Sequence, residues 1–434
     1  MKRPLFSLAV AGIVAGLAAC AESSPTSTDD DRLVIEPRTV ELILPWSSFG
    51  ERVQVYGGFG SPDDLANMVL ANGFETDLHS RGLVQWGVYP RMVTVRDSLG
   101  ENRQDSTLTF TGGYIVARVD TLASTATGPV EIGLAQVTEG WHSPTATWDN
   151  RVDTIGDRRG WTAPGAGTAV GLASGTWTPG VADTVVIPLD SAQIALWSDT
   201  TTAGLRSARF EMITPGVRLE LQDIRLRLNT RPSVNQDSTF VLTNTIRQRT
   251  FIYTPFVQPP PDGIRVGGAP AWRTVMTFAV PKVLNGPASV CEAVGCPFAL
   301  SASRINYASL TLRTKEVAPV AFQPSDSVRI DVRAVLVPER LPKAPLGASF
   351  LGILGRSIPA AGFSTEAGRE VGIPITDFVR TQLASDNPST RDLALLSILE
   401  PLSIAFSSFE GPGSAGEPSL RLIVTLADTL EVRR

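Results

Sequence analysis

From Arg32 onward the apolar positions fall in short alternating or β-branched runs, such as Val40-Glu41-Leu42-Ile43-Leu44, Ser106-Thr107-Leu108-Thr109-Phe110 and Thr184-Val185-Val186-Ile187, cut by Gly, Pro, Asn and Asp. A period of two puts apolar side chains on one face of a strand and polar ones on the other, and the breakers mark the turns, so the pattern predicts many antiparallel strands packed face to face. Helical periodicity is scarce. It predicts one short helix over Pro62 to Ala71, with Ser61 as its N-cap, and a second after Ile375 in the stretch ITDFVRTQL. Neither is long enough to organise a helical domain.

Landmarks recur in the same order at an offset near 190–200 residues. Arg81-Gly82-Leu83-Val84-Gln85-Trp86-Gly87-Val88-Tyr89-Pro90 is echoed by Arg273-Thr274-Val275-Met276-Thr277-Phe278-Ala279-Val280-Pro281, and Gly113 to Asp120 by Ile305 to Leu312. Val186-Ile187-Pro188-Leu189-Asp190 is matched by Gly372-Ile373-Pro374-Ile375-Thr376-Asp377. Phe210-Glu211 followed by Pro215 to Leu221 pairs with Phe409-Glu410 followed by Pro418 to Val424. Four matches in order imply one fold written twice. The expectation is all-β: two tandem antiparallel β-sandwich, jelly-roll-like domains, 34–231 and 232–434, dividing near Asn229-Thr230-Arg231-Pro232.

The first nineteen residues carry a basic start, Lys2 and Arg3, and an apolar run from Leu5 to Ala19. This is an export signal (1–19), shorter than the roughly 20 apolar residues of a membrane-spanning helix. Its end, Leu17-Ala18-Ala19-Cys20, resembles the bacterial lipobox. That likeness implies lipidation of Cys20 and a membrane partner through the anchor. Ala21 stands where aspartate would retain a lipoprotein in the inner membrane, so an outer-membrane or cell-surface location follows. Residues 20–33, polar, small and acidic, read as a flexible tether, and Asp29-Asp30-Asp31 as part of that solvated linker.

With Cys20 assigned to lipid, Cys291 and Cys296 remain, and an exported chain predicts a local disulfide between them. The chain has 38 Lys and Arg against 43 Asp and Glu, a net charge of −5, which excludes a nucleic-acid partner held by phosphate neutralisation. There are two histidines, His79 and His142, and no G-x-S-x-G elbow, H-E-x-x-H helix or Walker loop. No catalytic residue, metal or cofactor is expected. Arg218, Arg225, Arg227, Arg231 and Arg421 alternate with apolar residues and read as solvated sheet faces.

The Arg-to-aromatic strand ending in Pro, the A-x-L-x-L strand, the segment Val137 to Asn150 with its W…TW pattern, the segment before the short helix and the final Pro-x-Leu-Arg-Leu strand together resemble DNRLRE-type β-sandwich domains. They are similar to carbohydrate-binding modules of the alginate- and agarose-binding class. The likeness covers both halves, but the second lacks a W…TW segment and the first lacks the Val266-Gly267-Gly268 approach. Seven of the eight tryptophans lie in the first half. An indole offers a flat apolar face to the C–H side of a sugar ring, with polar neighbours for its hydroxyls. Trp141, Trp148, Asp149, Asn150, Trp161 and Trp177 are therefore the candidate ligand residues. A non-catalytic surface protein follows, binding polysaccharide or scaffolding a surface-protein partner. The alternative is a polysaccharide-degrading lyase or glycosidase using paired carboxylates, such as Asp149 and Asp153.

Overall fold

A computed structural model describes residues 38–426, apart from 58–66, 76–77, 169, 200–205, 255–262, 269–271, 387, 389 and 399–404. The leader, Cys20, the tether and the start of the helix predicted from Pro62 lie outside the described residues. The chain is all-β, in antiparallel sheets with few helices. The described part of that first predicted helix is a strand, Met68–Phe74, nearly all buried. It sits between two neighbours, Leu78–Trp86 and Val217–Pro232, and its ladder bonds override a weak helical pattern. The second predicted helix forms as Thr376–Ala384, burying Phe378, Val379 and Leu383.

The first body is a ten-stranded sheet folded over its own apolar face. One layer holds Leu78–Trp86, Ser207–Met212, Val130–Gln136 and Val170–Trp177; the other holds Met68–Phe74, Val217–Pro232, Leu108–Val119 and Thr184–Leu189. Gly175 makes this closure possible. A Cβ there would stand 2.5 Å from the carbonyl oxygen of Val186 in the facing layer. The second body has two six-stranded sheets, one centred on Ile305–Lys315 and Ser419–Leu426, the other on Arg273–Phe278, Asp392–Ser397 and Val328–Val335.

The two bodies share their wiring. Leu108–Val119 pairs with Val217–Pro232 and Thr184–Leu189, just as Ile305–Lys315 pairs with Ser419–Leu426 and Glu370–Pro374. In both, a short helix follows the third strand named: Ser191–Ser198, capped by the Asp190 side chain on the Gln193 amide, and Thr376–Ala384. Leu78–Trp86 pairs with Ser207–Met212 as Arg273–Phe278 pairs with Asp392–Ser397. The fourth sequence landmark is therefore out of register. Phe210 answers to the strand Asp392–Ser397, while Leu221 and Phe409 hold matching positions, opposite Val119 and Thr314 near the ends of equivalent strands.

The predicted division at 231/232 does not follow the strand pairing. Residues 38–56 precede the first body but complete the second: Arg38–Pro45 pairs with Ser419–Leu426, and Gly50–Tyr56 with Arg273–Phe278. Residues 240–253 precede the second body but complete the first: Phe240–Asn244 pairs with Val217–Pro232, and Ile246–Tyr253 with Leu78–Trp86. Each copy lends its leading pair of strands to the other. Alternation shows that a strand has one buried face; it does not show which sheet edge receives it.

The bodies also touch directly. Phe74 meets Phe322 edge to face at 5.9 Å, and Arg218 covers the Phe74 ring while donating to the carbonyls of Ala123 and Ala321. Arg218 is thus a bridge between the bodies and not a solvated sheet residue. The predicted disulfide, Cys291–Cys296, is present at the end of the short helix Ala288–Val294.

Candidate functional site

Gln136 and Val170 lie opposite one another in neighbouring strands, so residues 137–169 leave the first body and return at the same rung. This excursion caps the outer face of the sheet with its own small core: Val137, Trp141, Ala146, Trp161 and Ala166 pack on Leu83 and Ile252, with Trp148 against them. Leu83 serves the cap while its neighbour Val84 serves the main core, as the strand's alternation requires.

Two arginines, Arg209 buried and Arg81 half-buried, pin the cap to the sheet. Arg81 Nη1 donates to the carbonyl of Gly165 at 2.6 Å, and Arg209 Nη1 to those of Gly165 and Gly167. Glu211 answers Arg209 at 2.8 Å and Arg81 at 3.7 Å. Burial and the neighbouring Arg209 lower the Arg81 pKa from its ordinary value, while Glu211 opposes the shift. Gly165 and Gly167 have φ of +81° and +71°, and this reversal turns the loop carbonyls toward the guanidinium groups.

Within the cap, the hairpin Asn150–Thr154 and Asp157–Gly160 forms one wall of a pocket of about 430 Å³. Trp141, His142, Arg151, Val152, Asp157 and Arg159 supply most of its lining. His142 Nδ1 lies 3.0 Å from Thr145 Oγ1, and Arg151 Nη1 donates to the carbonyl of Gly140. Arg159 pairs with Asp157 at the exposed rim. Trp141 is 7% exposed, and its Nε1 has no hydrogen-bond partner among the described residues. An apolar wall ringed by guanidinium, imidazole and hydroxyl groups suits a hydroxylated ligand.

Most of the candidate rings do not line the pocket. Trp161 is buried and donates from Nε1 to the carbonyl of Thr147; Trp177 is 2% exposed, belongs to the main core and donates to Ala182. Trp148, half-buried, carries Arg81 over its ring at 5.0 Å. Asp149 and Asn150 sit beside the pocket without lining it. Of the six predicted residues only Trp141 reaches it, because Trp161 and Trp148 are needed to fill the cap and Trp177 the main core. Sequence reasoning missed Asp157 and Arg159. The turn Ile155-Gly156, with Gly156 at φ +86°, between two short polar runs was the available sign of a hairpin. Asp153, offered as half of a carboxylate pair with Asp149, is instead occupied by Arg158 at 2.9 Å and by Lys343 of the second body at 2.5 Å.

A larger cleft of about 680 Å³ lies between the bodies, lined by Asn67, Asp120 and Glu220 on one side and by Asp326, Arg329 and Phe406 among others on the second. The Asp120 amide donates to the Glu220 carbonyl at 2.8 Å, which sets the two acidic residues side by side on neighbouring chain segments. Burial, with Asp120 adding to it, pushes the Glu220 carboxyl up to about 7, against the opposing pull of Asn67 and Arg218. Asp120 accepts from the amides of Leu122 and Ala123 and from Gln222 Nε2.

No family model matches the chain, and no curated protein matches it. Among solved structures it is similar to the C-terminal domain of the Streptococcus pyogenes antigen I/II-family protein AspA, at 10% identity over 91% of this chain and 92% of that one, with a TM-score of 0.12. It is also similar to the N-terminal CBM22-1-CBM22-2 tandem domain of Paenibacillus barcinonensis Xyn10C, at 8% identity over 89% and 97%, with a TM-score of 0.11. Superposition this poor carries no argument about function.

Proposed function

We propose that the protein is a non-catalytic binding protein of the bacterial cell envelope, tethered through a lipidated Cys20, which holds a polysaccharide in the pocket of the cap. The observation that carries this is the pocket itself: Trp141 and Val152 offer apolar surface, and Arg151, Arg159, His142 and Thr154 stand around it as polar contacts. The resemblance of the landmark strands to DNRLRE-type domains agrees with it. Titration of intrinsic fluorescence with neutral and with acidic polysaccharides tests the reading. Saturable binding is expected, weakened about tenfold in Arg159→Ala, since one charge-assisted contact is worth about that factor. A flat response to every glycan overturns glycan binding and leaves the scaffolding role. Loss of membrane association in Cys20→Ala tests the anchor.

One observation favours a second reading. In the interbody cleft Glu220, raised to about 7 by burial, stands beside a second carboxyl, Asp120, and a carboxyl that keeps its proton near neutrality is the kind of general acid glycoside hydrolysis uses. New reducing ends released by the wild type and abolished in Glu220→Gln would replace binding with degradation.

A further inference from the structure

Away from both the pocket and the cleft, five buried polar atoms at one end of the first body have no hydrogen-bond partner among the described residues: Trp86 Nε1, Trp197 Nε1, Arg206 Nε, Gln193 Nε2 and Tyr89 Oη. The residues are neighbours. The rings of Trp86 and Trp197 lie 5.1 Å apart at 31°, and the Trp86 amide donates to the Arg206 carbonyl at 2.9 Å. Arg206 Nη1 donates to the carbonyls of Asp199 at 2.9 Å and Trp197 at 3.4 Å. Gln193 stands one helical turn before Trp197 on Ser191–Ser198. Tyr89 is close enough to Arg206 for the cation to act on its phenol, although burial outweighs that and pushes the phenol up, so it stays an O–H donor.

Two features make this set unusual. Arg206 is 3% exposed, and among the described residues it is held by carbonyls, with no carboxylate at ion-pair distance. Burying a guanidinium without a counter-charge costs several kcal/mol, about the full stability of many domains. Second, four of the five unpartnered atoms are donors that cannot accept, and the fifth is a hydroxyl. A water placed among such groups can accept two hydrogens but finds only the Tyr89 hydroxyl to receive its own, and it leaves the guanidinium charge unanswered. An anion accepts from all of them and neutralises the charge.

We infer that this end of the first body binds one compact monovalent anion, of halide or formate size, on Arg206, Trp86, Trp197 and Gln193, with Tyr89 closing the shell. The size follows from enclosure, since Trp86, Trp197, Tyr89 and Arg206 are each no more than 5% exposed. The inference is independent of glycan binding and of the carboxylates in the cleft.

The test uses the full chain, dialysed into gluconate, whose bulk excludes it from such a site. Chloride, bromide and formate are then titrated at constant ionic strength while the thermal midpoint is followed. A saturable rise is expected, following the mass-action dependence of stability on a ligand bound only by the folded state. Trp197→Phe keeps an aromatic ring at the position and removes one donor, and is expected to weaken the apparent affinity about fivefold to tenfold. Arg206→Gln should abolish the rise; where that variant does not fold, Trp197→Phe decides. A crystal grown in bromide should show an anomalous peak beside Arg206 Nε. Water alone at that position, or equal midpoints in gluconate and chloride, overturns the inference.

Discussion

Arg421 donates from Nε to the carboxylate of Glu41 at 2.6 Å, across 380 residues of chain. The contact belongs to a ladder in which Leu42 faces Leu422 and Arg38 faces Leu426, so the first described strand is an integral part of the last sheet. The reciprocal exchange of leading strands makes the two bodies dependent on one another, and it yields the first prediction.

Residues 232–434 expressed alone lack two strands of their own sheets and are expected to show no cooperative thermal transition. A rearranged chain running from 256 to 434 and on through 34–57 restores both, because Leu426 already lies opposite Arg38 and a short connection closes the hairpin. It should melt cooperatively by circular dichroism. Cooperative melting of 232–434 by itself would show that the exchange is dispensable.

Glu220 titrates near 7 when folded, against an ordinary value of 4.5. Its folded pKa is raised, so the unfolded chain ionises first, and stability falls as pH rises from about 4.5 through about 7, by roughly 3 kcal/mol in all. Glu220→Gln removes that dependence. Its thermal midpoint should match the wild type near pH 4.5 and exceed it by several degrees at pH 8, measured by calorimetry. Parallel pH profiles for the two proteins would refute the assignment.

Asp153 is half-buried, which raises its pKa, yet Lys343 and Arg158 outweigh that desolvation and hold it below the ordinary value of 3.8. A depressed carboxyl contributes stability above the unfolded value and loses it as pH falls through the folded one. Lys343→Gln should cost roughly 1–2 kcal/mol at pH 7, between the worth of exposed and buried pairs, and that difference should shrink as Asp153 is protonated in acid. Because Asp153 lies in the pocket hairpin, amide exchange across 150–160 should quicken in the same variant.

Gly175→Ala is expected to destabilise by about 2–3 kcal/mol, since the added carbon meets backbone and not a side chain that can swing away. Gly171→Ala, with open space at its Cβ, is the control and should change the denaturation midpoint little.

The six-residue ring closed by Cys291 and Cys296 removes little chain entropy, about 2 kcal/mol in the loop-closure account. Cys291→Ser with Cys296→Ser should lower the urea midpoint modestly and leave the strand content unchanged by circular dichroism.

Much of this molecule is legible in its sequence because the relevant physics is local. Alternation in Val40 to Leu44 and Thr184 to Ile187 is a statement about one strand and its two faces, and both segments are strands. The helix after Ile375, the clip at Cys291 and the repetition of Val186-Ile187-Pro188 by Gly372-Ile373-Pro374 are likewise short-range signals. Contacts across the fold are not written that way. Whether Trp161 and Trp177 face solvent depends on what lies above them, and both were needed as filling. Whether Glu220 keeps its proton depends on Asp120, a hundred residues earlier, and on the second body that closes over it. Above all, residues 38–56 and 240–253 have the same pattern of one apolar face wherever they dock, and only the competition between sheet edges in three dimensions assigns each pair to the other copy's body.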